Sequence, residues 1–281
     1  MWDRIEPLMP PDPVRGRRWA HHRRTLEAIA WKYRTCSPWR DLPEELGSFQ
    51  TAHKRLIGWA VDGTWERIFA AVPAAADAGD DIDWTLSVDS TVCRAHQHSV
   101  GARKRGPRGR AEPDDHALGR SRGGLSTRVH LASDGRARPL ALRVTAGQAG
   151  DAPAFETVMA AIRVPRSGPG RPRTRPDAVL ADRAYSSRAI RSHLRRRGIR
   201  AVIPQPSDQV GHRLKRGRAG GCPPAFDAEA YKQRNSVERC INRLKQWRGL
   251  AMRTDKLAIA YQAALHLAAI LIWTRRRAAQ N

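Results

Sequence analysis

Two alternating runs joined through Asp134-Gly135 constrain the fold of this chain more than any other feature. Leu125, Thr127, Val129 and Leu131 alternate with Ser126, Arg128 and His130, and Leu140, Leu142 and Val144 resume the alternation after the turn. A period of two marks β-strands, and Asp-Gly between such runs marks a hairpin. Trp84–Val92, rich in β-branched residues, adds a strand before the hairpin and ends in Asp89-Ser90-Thr91. After the hairpin, Asp151 caps a helix with Phe155, Val158, Met159 and Ile162 inward. A Pro/Arg-rich loop, Pro165–Pro176, leads to a short buried strand, Ala178–Ala181, ending at Asp182. Ser187 caps the next helix, which turns Ile190 and Leu194 to one face and stops at Gly198. Ile199–Ile203 is a further strand, ended by Pro204 and Pro206. The order β-β-β-α-β-α-β-α describes an α/β fold: a mixed sheet with helices on both faces.

A basic Gly/Pro loop, Ser207–Ala225, separates this sheet from Tyr231–Lys245, which carries no Pro or Gly and reads as one helix. At about 100° per residue, Tyr231, Arg234, Glu238 and Lys245 fall within roughly 60° of arc. Ala230, Val237, Ile241 and Leu244 form an apolar stripe about 80° away. One carboxylate, flanked by a phenol and two cations, therefore stands beside a face that packs on a core. Taken alone, Arg234 and Glu238 also fit a plain surface i,i+4 pair.

Residues 1–80 read as a small all-helical domain. Leu26, Ile29, Ala30 and Tyr33 follow a helical period. Pro38 and Pro43 interrupt it, and Ser48 caps a second helix with Phe49, Ala52, Leu56 and Trp59 inward and Gln50, His53 and Lys54 outward. Two helices with a polar-basic outer face resemble a helix-turn-helix, which makes His53 and Lys54 DNA-facing candidates. Pro73–Asp83, Ala-rich and acidic, reads as the linker to a catalytic domain at 84–250. Within that domain Arg94–Gly124, dense in Arg, Gly and His, reads as an exposed insertion whose charge suits phosphate. Leu257–Trp273 reads as a buried helix of a C-terminal segment, 251–281, with Arg275–Arg277 as its basic end. This apolar run is shorter than a usual membrane span and contains Gln262 and His266.

Charge narrows the partner. The sequence has 51 Lys+Arg against 27 Asp+Glu, a formal net charge of +24. Such a surplus in a folded chain implies a polyanion, DNA or RNA. The four cysteines, Cys36, Cys93, Cys222 and Cys240, form no CxxC pair, which argues against a disulfide framework or a zinc site and suits a reducing cytoplasm. No apolar signal region opens the chain.

The acids carry the chemistry. In-line phosphodiester cleavage or transfer needs stabilisation of both the attacking and the leaving oxygen, which two Mg²⁺ ions supply. Mg²⁺ prefers oxygen ligands, so carboxylates suffice and no covalent nucleophile is required. Asp89 on the first strand, Asp182 after the fourth and Glu238 on the last helix resemble the acids of the ribonuclease-H-like nucleotidyl transferase fold. His96 and His98 follow the first strand closely, and imidazole suits DNA-backbone contact better than Mg²⁺.

PWRDLP at 38–43, VDSTVCRAHQHSVGAR at 88–103, GRSRGGLSTRVH at 119–130, LADRAYSS at 180–187 and RNSVERCINRLKQWRGLAMRTDK at 234–256 complete the pattern. With them the sequence resembles the DDE transposases of bacterial insertion sequences, of the insertion-sequence-five-like type related to the insertion-sequence-four-like group. The Tyr-x2-Arg-x3-Glu-x6-Lys signature of that family is met by Tyr231, Arg234, Glu238 and Lys245. The resemblance implies that Asp89, Asp182 and Glu238 are the catalytic, metal-binding triad for Mg²⁺, with Mn²⁺ as a substitute. It implies that Arg234 and Lys245 contact phosphates beside the cut, with Tyr231, Arg253 and Lys256 as further DNA contacts. The implied partner is double-stranded DNA, as terminal inverted repeats and target, bound by a dimer or larger assembly at the bacterial nucleoid. The alternatives are a nuclease of the same fold without strand transfer, and an inactive DNA-binding derivative.

Overall fold

The computed structural model describes residues 1–13, 18–101 and 112–275. Its mixed sheet contains β1 (Thr85–Ala95), β2 (Gly119–Ser121), β3 (Gly124–Ser133), β4 (Pro139–Ala146), β5 (Ala178–Ala181), β6 (Arg200–Val202) and β7 (Met252–Arg253). The helices are α1 (His22–Thr35), α2 (Phe49–Val61), α3 (Thr64–Ala78), α4 (Asp151–Ala161), α5 (Arg188–Arg196), α6 (Ser207–Lys215), α7 (Ala228–Lys232), α8 (Asn235–Lys245), α9 (Arg248–Ala251) and α10 (Ala258–Thr274).

The expected hairpin forms: β3 pairs antiparallel with β4 on one side and with β1 on the other. Its connection runs from Asp134 to Arg138 because the Asp134 carboxylate organises it, accepting the N–H groups of Arg136 and Arg138 and the Arg138 guanidinium. Both side-chain rows of β3 are buried, Leu131 on one face and His130 on the other, because helices cover both faces.

The other edge of β1 positions the site. β5 runs parallel to it from Thr85↔Ala178 to Val88↔Ala181, and β6 runs parallel to β5. β7 rejoins the same edge at Arg94↔Met252 and Ala95↔Arg253. Between these two pairings, Asp89–Cys93 has no strand partner on that edge among the described residues. Successive residues of β1 alternate between the sheet's faces. Ser90 points to the face covered by α4, where it meets Asp151. Ser87 points to the face covered by α8, where its hydroxyl meets that of Ser236 at 2.9 Å.

Three readings of local structure are corrected. Pro73–Asp83 is not a linker: α3 continues to Ala78 with Pro73 inside it. The backbone bond that Pro73 cannot make is outweighed because Ile68, Phe69, Val72, Pro73 and Ala76 bury one continuous face, and Ile82 and Trp84 are buried beyond it. The loop at 207–225 holds α6, with Asp208 in its first turn and His212, Arg213 and Lys215 in its last. The helix read at 231–245 is two helices. Asp227 caps α7 by accepting the Ala230 N–H, and Ala230 and Tyr231 pack against Ala178, Leu180 and Val202 of β5 and β6. Val237, Cys240 and Leu244 of α8 are buried in the main core. One straight rod does not serve both surfaces, and the chain breaks at Gln233-Arg234.

α10 is apolar all round and buried nearly throughout. It packs on α1, α2, α3, α8, α9 and β4. Trp273 donates to the Pro139 carbonyl at 2.6 Å and Gln262 to that of Leu142 at 3.1 Å. Its first free N–H groups, those of Ala258 and Ile259, are taken by the Glu112 carboxylate. The N-terminal helices, α10 and the sheet share one hydrophobic core. No described helix is long and apolar enough to cross a membrane.

Candidate active site

The parallel register brings the first two acids together. Val88 pairs with Ala181, so Asp89 and Asp182 are the next residues on adjacent strands. β5 stops there, and Asp182 caps the 3-10 turn Arg183–Tyr185 by accepting the Ala184 N–H at 2.9 Å. Asp89 lies in the middle of β1, not at its end as the sequence suggested, but at the step where β1 loses its parallel neighbour. The crevice beyond the carboxyl ends of parallel strands is where open α/β sheets hold ligands.

The third acid arrives through a guanidinium. Arg234, at the start of α8, donates to Asp89 Oδ2 at 2.6 Å and to Glu238 Oε1 at 2.8 Å. The Asp89 side chain is 17% exposed and that of Glu238 52%. Burial raises the Asp89 carboxyl above its ordinary range. The charges of Asp182 and Asp151 add to this, against the Ser90 N–H and the Arg234 charge. Burial also works against the charge on Arg234, but Asp89 and Glu238 outweigh it and hold the guanidinium protonated.

Two further groups belong to the neighbourhood. Asp151 does not cap α4 with its side chain; Gly150 occupies the cap. Its carboxylate instead accepts the Ser90 hydroxyl at 2.5 Å and Arg128 at 2.7 Å, and His130 Nδ1 stands 3.8 Å away. The other ring nitrogen of His130 meets the Thr145 hydroxyl at 2.8 Å. Burial lowers the His130 pKa to about 4. Tyr185 is buried against Phe155, and its hydroxyl has no hydrogen-bond partner among the described residues. Burial, then Asp151, Asp89 and Asp182, push that phenol well above its ordinary range, so it keeps its proton beside the acids. Ser90, Arg128 and His130 are the polar residues of alternating strands, but it is the strand register that puts them on the one face where α4 brings Asp151.

The donor set is oxygen-only and suits a hard divalent cation. Asp89 and Asp182 are already adjacent, but no three of the described His, Cys, Asp and Glu residues close on a single point. Arg234 holds one oxygen each of Asp89 and Glu238, so the guanidinium competes with a cation for those two oxygens.

The "Transposase DDE domain" family model matches residues 81–273. This chain belongs to that family of transposases. A second model, "Putative transposase of IS4/5 family", matches residues 1–69. Over 175 residues the transposase is 33% identical to a Burkholderia cepacia protein, "Putative transposase for insertion sequence element IS402", covering 62% of this chain and 74% of the relative. Over 151 residues it is 28% identical to a Brucella ovis protein, "Putative transposase for insertion sequence element IS6501", covering 54% of this chain and all of the relative. A Mos1 strand transfer complex, 12% identical, aligns with a TM-score of 0.27 over 95% of this chain and 82% of that chain. The ribonuclease-H-like architecture is that of the family, whose members cleave and join nucleic acid.

The DNA-facing residues read from the sequence of the transposase separate into groups. Lys245 lies along the open edge of β1, its Nζ 3.4 Å from the Val92 carbonyl. Tyr231, on α7, does not share one helical face with Glu238; its ring packs beside Phe226 and β5. Arg253 is fully buried and is corrected to a structural role. It donates to the carbonyls of His116, Ala117 and Asp255 and to the Thr127 hydroxyl, and its guanidinium lies over the Tyr261 ring. It thereby ties β7 to the segment before β2. Lys256 beside it is exposed, as are His53 and Lys54 on α2. His96 and His98 pack edge to face, and His96 Nδ1 accepts the His98 N–H at 3.2 Å. Residues 102–111 of the basic run, with Arg276 and Arg277, lie outside the described residues; the rest of 94–124 is not simply an exposed insertion, because it ends β1, supplies β2 and buries Ser99, His116 and Ala117.

Proposed function

We propose that this transposase binds the terminal inverted repeats of its own insertion sequence, cuts at the element ends and joins the 3′-hydroxyls to target DNA. Asp89, Asp182 and Glu238 are its catalytic carboxylates and hold Mg²⁺, with Mn²⁺ as a substitute. The observation that most supports this is the Val88↔Ala181 register, which sets Asp89 beside Asp182, together with the guanidinium that links Asp89 to Glu238. Bound divalent ions supply electrophilic stabilisation of the attacking and leaving oxygens.

The chain's own residues do the rest. Arg234 exchanges its carboxylates for a phosphate flanking the scissile bond, and Lys245 holds another along the open edge of β1. Tyr231, His96, His98 and Lys256 guide the strand towards that edge. Residues 1–80 recognise the repeat, with His53 and Lys54 on the outer face of α2. Residues 84–250 form the catalytic domain, and the C-terminal segment 251–281 braces it. The working form is a dimer or larger assembly on DNA in the bacterial cytoplasm.

Joining tests this most fully. The full chain is incubated with Mg²⁺, a duplex carrying a pre-cut repeat end and a supercoiled plasmid. Covalent transfer of the end to the plasmid is expected. Cleavage without joining would make the protein a nuclease of the same fold, and repeat binding with neither would make it an inactive derivative.

A further inference from the structure

Away from the acids, five parts of the chain bring arginines to one cleft of about 920 Å³. Arg4 comes from the N-terminus, Arg34 from α1, Arg136 and Arg138 from the β3–β4 connection, Arg243 from α8 and Arg275 from the end of α10. Asp81 is the one acid among its described lining residues. Arg136 and Arg138 both pair with Asp81, and Arg138 pairs with Asp134 behind it. Among the described residues the other four have no carboxylate partner. Arg4 and Arg243 donate to carbonyls, of Trp273 and Ala137, at 3.3 and 3.2 Å. Arg34 lies over the Trp247 ring at 5.0 Å, as Arg138 lies over Trp273 at 4.1 Å. Burial lowers the pKa of Arg34, and the nearby charge of Arg275 adds to the effect.

Like charges gathered in a recess repel one another unless an anion joins them. Guanidinium planes fixed over indole rings are held in advance for planar, forked recognition of phosphate oxygens. The cleft is also separate from the catalytic edge. Arg243 stands about 140° round α8 from Glu238, so α8 presents an acid to one side and this cleft to the other.

We infer that the cleft is a second DNA site, which grips the phosphate backbone of a segment other than the one being cut. The inference rests on the transposase acting on DNA. A +24 chain whose cleft holds four arginines with no carboxylate partner among the described residues favours a phosphodiester backbone over an acidic protein segment.

The test uses the full chain and reads the salt dependence of duplex affinity. Arg34→Gln/Arg243→Gln is compared with wild type, with Lys245→Gln at the catalytic edge and with Arg23→Gln, which removes a charge outside the cleft. The slope of log affinity against log salt should fall by about 0.9 for each phosphate that is no longer neutralised, so the cleft double variant should fall by about twice that, and Arg23→Gln should leave the slope unchanged. Should the double variant melt early, Arg275→Gln, an exposed single change at the end of α10, is expected to lower the slope by about 0.9 on its own. A folded cleft variant with the wild-type slope overturns the second site, and if Lys245→Gln still lowers the slope, the catalytic reading survives. An equal fall for Arg23→Gln overturns the cleft as a site. Unchanged DNA binding with altered self-association in sedimentation overturns it in favour of an acidic face on a second copy. A wild type that binds duplex without salt dependence overturns both readings.

Discussion

At the scale of single residues, what was legible depended on where each partner came from. Asp89, Asp182 and Glu238 stood out because strand and helix patterns located each of them. Asp151 and Tyr185 did not, because what defines them is supplied by other segments: Ser90 and Arg128 for the first, the surrounding acids for the second. Arg253 misled for the same reason, since a buried arginine and an exposed one look alike in a sequence. His130 shows the cost of that hidden polar layer. Burial holds its pKa near 4, below the ordinary histidine value, so the neutral form is the one the fold accommodates. The stability this contributes is complete above about pH 6.5 and is lost as pH falls towards 4. Denaturant unfolding of wild type and His130→Gln across that range should show the variant losing less stability on acidification, by up to about 3 kcal/mol. Parallel curves would show that His130 does not titrate as a buried neutral ring.

At the scale of elements, β5, α5 and α10 fell close to where periodicity and caps put them. Ser187 caps α5 by accepting the Ile190 N–H, and Gly198 ends the turn after it at φ +64°. Tyr231–Lys245 failed as one helix because periodicity does not report that two surfaces compete for the same stretch. The break places Arg234 at the mouth of α8, where it reaches Asp89, 145 residues away in sequence. It also separates two arginines on the other faces of α8. Arg239 is exposed and about 100° from Glu238, whereas Arg243 is engaged with Ala137 and lines the second cleft. Arg234→Ala and Lys245→Ala should slow single-turnover cleavage of a repeat-end duplex by about tenfold to a thousandfold, and Arg239→Ala should slow it far less. Equal losses at Lys245 and Arg239 would mean that α8 contributes charge without geometry.

At the scale of the whole molecule, a helical N-terminal part and a sheet were legible, but their union was not. Each amphipathic helix announces a buried face without naming what covers it. Here α2 and α3 cover α10, which in turn covers β4, and one core results. That core carries three acids from distant parts of the chain to one edge of one sheet. Single-turnover cleavage of a repeat-end duplex in Mg²⁺ by Asp89→Asn, Asp182→Asn and Glu238→Gln, with duplex binding measured alongside, tests that convergence directly. Each amide should retain binding and fall at least about a thousandfold in rate. Cleavage near the wild-type rate by any one of the three would show that the acids do not work as a single site.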